Sequence, residues 1–165
     1  MPGIDACLEE AMTLPGALGA AIVDWTSGLA LGTAGQSPNG DHEATAAETA
    51  ELARAAAEYS AFAPTARPPT PARPPTRAPA PASRPDGHAQ APATTPGSTA
   101  ASAGDKGPPV EDLIVTTRTG YHILSFVETT FDSSVFLHLW LDRDTGNLAL
   151  ARIRLGQLAE RLVLG

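Results

Sequence analysis

The sequence has few of the residues on which several common kinds of site depend. It contains a single cysteine, Cys7, so it cannot form an internal disulfide or a cysteine cluster for a metal. Positive charge is also scarce: 11 Lys and Arg stand against 18 Asp and Glu, a formal net charge of −7. Nucleic-acid binding requires cationic surface that neutralises phosphates, so this composition argues against a DNA or RNA partner.

Long apolar runs are missing as well. None approaches the ~20 residues that a membrane-spanning helix requires. The first residues lack the basic start and the long apolar stretch of a secretory signal peptide. We therefore predict a cytoplasmic protein with no membrane partner. Frequent Ala, Arg, Pro and Gly suggest a GC-rich bacterial genome.

Residues 63–109 contain no large apolar side chain. They hold thirteen of the chain's sixteen prolines and no Leu, Ile, Val, Phe, Trp or Tyr. Such a segment has no apolar surface whose burial could offset the entropy of ordering it. We predict a disordered linker at 63–109 that interrupts one domain, whose halves are residues 1–62 and 110–165.

Charge divides along the same boundaries. Residues 63–109 carry five positive and two negative side chains, whereas the two halves together carry six positive and sixteen negative ones, a net charge of −10. The folded part is therefore strongly acidic. At this charge density, contacts of the basic linker with the acidic domain, or with an acidic partner, are expected to be weak and sensitive to salt.

The first half predicts two helices and a β-hairpin. Apolar residues at helical spacing between Ile4 and Met12 indicate a helix, and the run Ala17–Val23 is typical of a buried strand that turns at Thr26-Ser27-Gly28 into a second one. A longer helix follows Asp41, a favourable N-cap residue. Its predicted apolar stripe consists of Leu52, Ala55, Ala56, Tyr59 and Phe62.

The second half predicts three strands and a final helix. The strands are residues 113–118, 121–128 and 135–141, and the helix begins near Asn147. The strand at 135–141 is apolar on both faces, which is typical of a central strand covered on both sides. The predicted fold class is therefore α+β: a five-stranded antiparallel sheet with helices on both faces, in the order α-β-β-α-β-β-β-α.

The stretch from Asp142 to Gly146, D-R-D-T-G after an apolar strand, is similar to the first motif of haloacid-dehalogenase-like phosphatases. Those enzymes need a lysine and a further acidic pair downstream, but the 19 residues after Gly146 contain no lysine and one acid, Glu160. A calcium loop fails because Gly146 and Ile153 stand where ligands are required. We predict a turn that leads into a helix capped by Thr145 or Asn147.

The remaining candidate groups do not form a site for chemistry. Cys7 falls on the apolar side of the first helix, which favours core packing. His122 and His138 lie on neighbouring strands and could share a face, but they lack further ligands for a metal. No convergent nucleophile, base and orienting group occurs. We predict no catalytic, cofactor-binding or metal-binding residues, and no enzyme.

Two stretches resemble the roadblock / dynein light-chain family. They are L-P-G-A-L-G-A-A-I-V-D at 14–24, running into Ser27-Gly28-Leu29, and N-L-A-L-A-R at 147–152. The resemblance covers both halves and the order of their elements. It implies a non-catalytic module that forms homodimers and binds or regulates Ras-like small GTPases or another subunit of a signalling complex.

The resemblance also implies where partners bind. Family dimers often pair an edge strand and a central helix across a two-fold axis, here residues 113–118 and 42–62. The insertion at 63–109 departs from the family, which usually has a short loop there. Alternatives left open are a structural adaptor without a GTPase and a small-ligand sensor. The candidate interface residues are Trp25, Ala46, Ala50, Ala53, Arg54, Ala57, Leu113, Val115 and Thr117.

Overall fold

The computed structural model describes residues 2–63, 108–128 and 134–164. Within these ranges the helices and strands follow the predicted order, so the predicted fold class is confirmed. Most of the predicted linker, residues 64–107, lies outside the described residues. The elements are α1 (Pro2–Met12), β1 (Ala17–Asp24), β2 (Leu29–Gly35), α2 (His42–Glu58), a 3-10 turn (Ser60–Phe62), β3 (Asp112–Thr116), β4 (Gly120–Val127), β5 (Val135–Asp142) and α3 (Leu148–Leu164).

The two halves of the chain meet at the centre of one antiparallel sheet. Its strand order is β2-β1-β5-β4-β3, and the register places Ile22 of β1 opposite Leu137 of β5. A strand from each half therefore hydrogen-bonds to the other, which is what a single interrupted domain requires. The linker boundaries themselves stay a prediction.

One face of the sheet is covered by α1 and α3 and carries the larger aliphatic core. Leu137, Leu139 and Leu141 of β5 are fully buried here, as is Leu155 of α3. Cys7 belongs to this core, and burial raises the pKa of its thiol to about 11. A thiol with that pKa stays protonated at neutral pH and behaves as a small apolar side chain.

The other face is covered by α2 through alanine side chains. Ala46, Ala50, Ala53 and Ala56 are buried against a cluster of sheet residues that includes Phe136. The predicted apolar stripe on this helix was therefore largely wrong: only Ala56 of that stripe is fully buried. Alanine lets the helix lie close to the sheet. The bulky members of the predicted stripe are exposed on the outside, by 40% for Leu52, 62% for Tyr59 and 52% for Phe62.

The acidic stretch after β5 is a turn, as predicted. The Oδ1 atom of Asp142 accepts hydrogen bonds from the backbone N–H of Asp144 at 3.0 Å and of Thr145 at 2.9 Å. Asn147 caps α3, since its Oδ1 accepts from the N–H of Leu150 at 3.0 Å. These bonds, chiefly those from Thr145, lower the pKa of the Asp142 carboxyl. The carboxylate thus stabilises the turn.

A candidate protein-interaction surface

Strand β3 forms an edge of the sheet and, within the part of the chain that the structure describes, lacks most of the usual protection of such edges, its one charged residue being Asp112, which pairs with Arg152. Its only partner strand among the described residues is β4, and it contains no proline, lysine or register shift. Leu113 and Val115 are partly exposed, and their register opposite Leu124 and His122 places them on the face of the sheet that α2 covers. An unprotected edge of this kind offers backbone N–H and C=O groups to a further strand.

The outward apolar residues of α2 belong to the same face. Tyr59 is the C-cap residue of α2 and follows Leu52 by seven positions, about two helical turns, so the two lie on one side of the helix. Arg54 lies on nearly the opposite side, where its guanidinium donates to the carbonyl oxygen of Trp25 at 2.8 Å, in the β1–β2 turn. Helix α2 contacts β1 and β2, and Arg54 faces the turn between these strands. Leu52 and Tyr59 lie on the other side of the helix, and therefore face the half of the sheet that ends in β3. We call Leu52, Tyr59, Leu113 and Val115 the β3–α2 surface.

A histidine pair and a tryptophan lie on the same face of β4 and β5. His122 and His138 share this face, as predicted, with 3.2 Å between His122 Nδ1 and His138 Nε2 and their rings stacked. The ring of Trp140 also stacks with the ring of His122, with centroids 6.2 Å apart. Burial lowers the pKa of both imidazoles, that of His138 to about 3. The pair is therefore neutral at pH 7 and forms part of an aromatic layer.

Within the described residues no group of three or more His, Cys, Asp or Glu could hold a metal ion. The stacked histidines thus lack the additional ligands that a stable site would need. Nor is any of the described helices long and apolar enough to cross a membrane.

The structure places the sequence-derived interface residues in several different environments. Ala46, Ala50 and Ala53 are at most 1% exposed, because they face the subunit's own sheet. Their side chains are therefore unable to meet a partner while α2 holds this position. Ala57 is half-buried on the same helix.

The polar candidates are engaged within the subunit. Thr117 closes the β3–β4 turn, since its hydroxyl donates to the carbonyl of Gly120 at 3.0 Å and accepts from the N–H of that residue. Arg54 also bonds to Glu51 at 2.8 Å. Trp25 packs on the core under α2, and its indole Nε1 is buried without a hydrogen-bond partner among the described residues. These contacts favour structural roles for all three side chains.

Of the predicted set, the structure leaves Leu113 and Val115 at the open edge. Leu52 and Tyr59, the other members of the β3–α2 surface, were not among the sequence-derived candidates, because they were assigned to the helix's inner stripe. The sequence does set them apart: Leu52 is the one bulky apolar residue of α2, whose other apolar positions are alanine, and Tyr59 directly follows the helix. The interface as a whole stays a prediction.

Known proteins resemble this chain in structure more than in sequence. Scans against protein-family models and curated proteins find no match. Among solved structures, MglB of Myxococcus xanthus is similar with a TM-score of 0.62 and 16% identity, over 99% of this chain and 86% of that one. The Thermus thermophilus gliding protein MglB has a TM-score of 0.60 and 12% identity, over 99% of this chain and 87% of its own. A Roadblock/LC7 domain from Streptomyces avermitilis has a TM-score of 0.53 and 15% identity, over 96% of this chain and 92% of its own.

These similarities define the class of fold. The chain has helices on both faces of a five-stranded antiparallel sheet, which is an α+β architecture. More particularly, it has a roadblock-like fold. At these identities the likeness concerns the fold alone.

Proposed function

We propose that this protein is a non-catalytic, cytoplasmic module that forms a homodimer and binds or regulates a Ras-like small GTPase in a bacterial signalling assembly. The observation that carries the proposal is the β3–α2 surface. It combines an unprotected strand edge with bulky apolar residues of a helix on one face of a roadblock-like fold.

The chemistry of that surface supports a homodimer. If β3 of one copy pairs antiparallel with β3 of another, the unpaired backbone groups of both edges are satisfied and the sheet continues across a two-fold axis. The same axis brings the two α2 helices together, so that Leu52 and Tyr59 of both copies are removed from water. Burying a side chain of this size stabilises a complex by about 1.5–3 kcal/mol.

Regulation of the GTPase would rest on shape and charge. Among the described residues, Arg54 is held by Glu51 and by the carbonyl of Trp25, so it is not available as a catalytic arginine. A dimer would instead present a platform that favours one nucleotide-bound conformation of the partner, since a ligand shifts an equilibrium by its difference in affinity for the two states. The MglB structures that share this fold include one from a gliding protein, and motility is one setting in which to seek the partner.

The dimer is tested by light scattering on the full chain and on a double variant, Leu52→Glu with Tyr59→Glu. Both positions are exposed, so we expect the variant to fold with an unchanged melting temperature and to elute as a monomer where the wild type is a dimer. Leu29→Glu is the matched control, because Leu29 is 58% exposed on β2, at the opposite edge. A double variant that remains dimeric would exclude this surface as the dimer interface.

The GTPase is tested by affinity capture from native lysate supplied with GDP or with a non-hydrolysable GTP analogue. The full chain is compared with a form in which residues 63–109 are replaced by a short Gly-Ser loop. We expect both forms to retain the same small GTPase, in one nucleotide state. If neither form retains a GTPase while both are dimers, the module is a structural adaptor.

A further inference from the structure

A groove runs between the second half of α3 and the strands β3 and β4, on the face of the sheet that lies away from α2. Its volume is about 600 Å³, within the range of pockets that bind small groups and side chains. Its walls combine carboxylates with apolar residues, among them Ala159 and Val163 of α3. A second depression between α3 and β3, which Arg152 also lines, shares four residues with it: Glu111, Ser125, Gly156 and Glu160.

Three carboxylates border the groove without forming an ion pair with a described residue. They belong to Glu111, Glu128 and Glu160. Arg152 acts on Glu111 electrostatically, but its ion pair is with Asp112. Like charges that share one cavity repel each other, so the groove favours a positively charged occupant.

Ser125 adds a feature that the carboxylates alone do not supply. This residue lines the groove and is only 6% exposed, and its hydroxyl forms no hydrogen bond with a described residue. Its oxygen is not among the fully buried polar atoms, so it is open to the groove, where it can donate a hydrogen bond to an occupant or accept one. The groove therefore contains a polar group that is directed at an occupant.

Gly156 keeps the helix wall of the groove open. It lies inside α3, and a Cβ atom built on it would meet nothing within 4 Å. A glycine inside a helix costs about 1 kcal/mol relative to alanine. Since no neighbouring atom of the subunit requires this glycine, its steric effect is to leave room in the groove.

We propose that this acidic groove docks an extended segment of a partner protein through an arginine or lysine side chain. The alkyl stem of that side chain lies along Ala159 and Val163, and its charged head binds the three carboxylates and the Ser125 hydroxyl. This docking surface goes beyond the proposed function, because the groove lies on the other face of the sheet from the β3–α2 surface.

The test is fluorescence anisotropy of a labelled peptide that alternates arginine with alanine, titrated with the full-length protein at about 50 and about 300 mM salt. We expect binding that weakens with salt and is lost when citrulline replaces arginine. Two variants should each weaken it about tenfold or more: the triple Glu111→Gln, Glu128→Gln, Glu160→Gln, and the single Gly156→Leu, which fills the groove. The single variant should melt no lower than the wild type, because it removes a helical glycine.

Matched controls separate docking from general attraction to an acidic protein. One is a triple variant with the same change in charge at exposed sites elsewhere, Asp5→Asn, Glu9→Gln and Asp144→Asn. The other is Ala149→Leu, at an exposed position of α3 outside the groove. Equal affinities for all variants would overturn the proposal. The proposal would also be overturned if the peptide bound ten times more tightly after residues 64–107 are replaced by a Gly-Ser loop. In that case the chain's own arginines would be the occupants of the groove.

Discussion

The α1–α3 face of the sheet and the α2 face are built from the same strands but covered with different side chains. On the first face two helices bury leucine, isoleucine and methionine against the sheet. On the second a single helix approaches through alanines and leaves Leu52 and Tyr59 outside. The first face therefore contributes most of the apolar burial, whereas the second leaves bulky apolar side chains exposed.

The largest expected effect is on the two-helix face. Leu155→Ala removes a fully buried side chain from α3 and leaves a cavity, so it should lower the free energy of unfolding by about 2–5 kcal/mol. Urea denaturation followed by circular dichroism measures the change, with the exposed Ile153→Ala on the same helix as control. A loss below about 1 kcal/mol would mean that this face is not the main core.

Acid should weaken the α2 face through its buried histidine. The pKa of His138 is lowered to about 3 in the folded protein, against about 6.5 in the unfolded chain, so below pH 6.5 only the unfolded chain gains the proton. The free energy of unfolding should then fall by up to about 1.4 kcal/mol per pH unit between pH 6.5 and 3. His122, whose pKa is lowered in the same direction, adds to this fall.

Urea denaturation between pH 7.5 and 4.5 checks the slope, with His138→Gln for comparison. The variant lacks the titrating group and should show a shallower loss of stability with acid. Carboxylates with lowered pKa values, such as Asp24, contribute equally to both proteins and cancel in the comparison. Parallel pH profiles would show that the pair is accessible to protons in the folded state.

A smaller effect is expected from enlarging an alanine under α2. Ala53 is fully buried between the helix and the sheet, so Ala53→Leu should overpack that contact and cost about 1–3 kcal/mol. Thermal unfolding compares it with Ala47→Leu, at an exposed position of the same helix. If Ala53→Leu were neutral, the close approach of α2 would not matter, and the contrast between the two faces would be weaker than the structure indicates.

Much of the fold follows from local patterns in the sequence. Alternation in β5 places Leu137, Leu139 and Leu141 on one face and His138 on the other, as the structure confirms. The acidic turn was also recognisable, because the remaining residues of a phosphatase or a calcium loop are missing. Hydrophobic periodicity, helix capping and turn formation each depend on a few neighbouring residues. They can therefore be recognised in a single sequence.

The orientation of α2 and the candidate sites needed three-dimensional information. The large side chains of Leu52 and Tyr59 suggested that these residues face inward, but the buried residues of α2 are four alanines and one threonine. The groove beside α3 joins Glu111, Ser125 and Glu160, which are separated along the chain and share no motif. Such sites depend on packing between distant segments, on which local periodicity carries no information.

The central pairing of β1 with β5 has a consequence for synthesis. On the ribosome, β1 and α2 emerge well before β5, because 79 residues separate position 63 from position 142. At about 5–20 residues per second, the N-terminal half waits roughly 4–16 seconds with the inner edge of β1 unpaired. The 47-residue insertion thus lengthens the time for which a nascent chain exposes the inner edge of β1, and shortening it should reduce dependence on chaperones during translation.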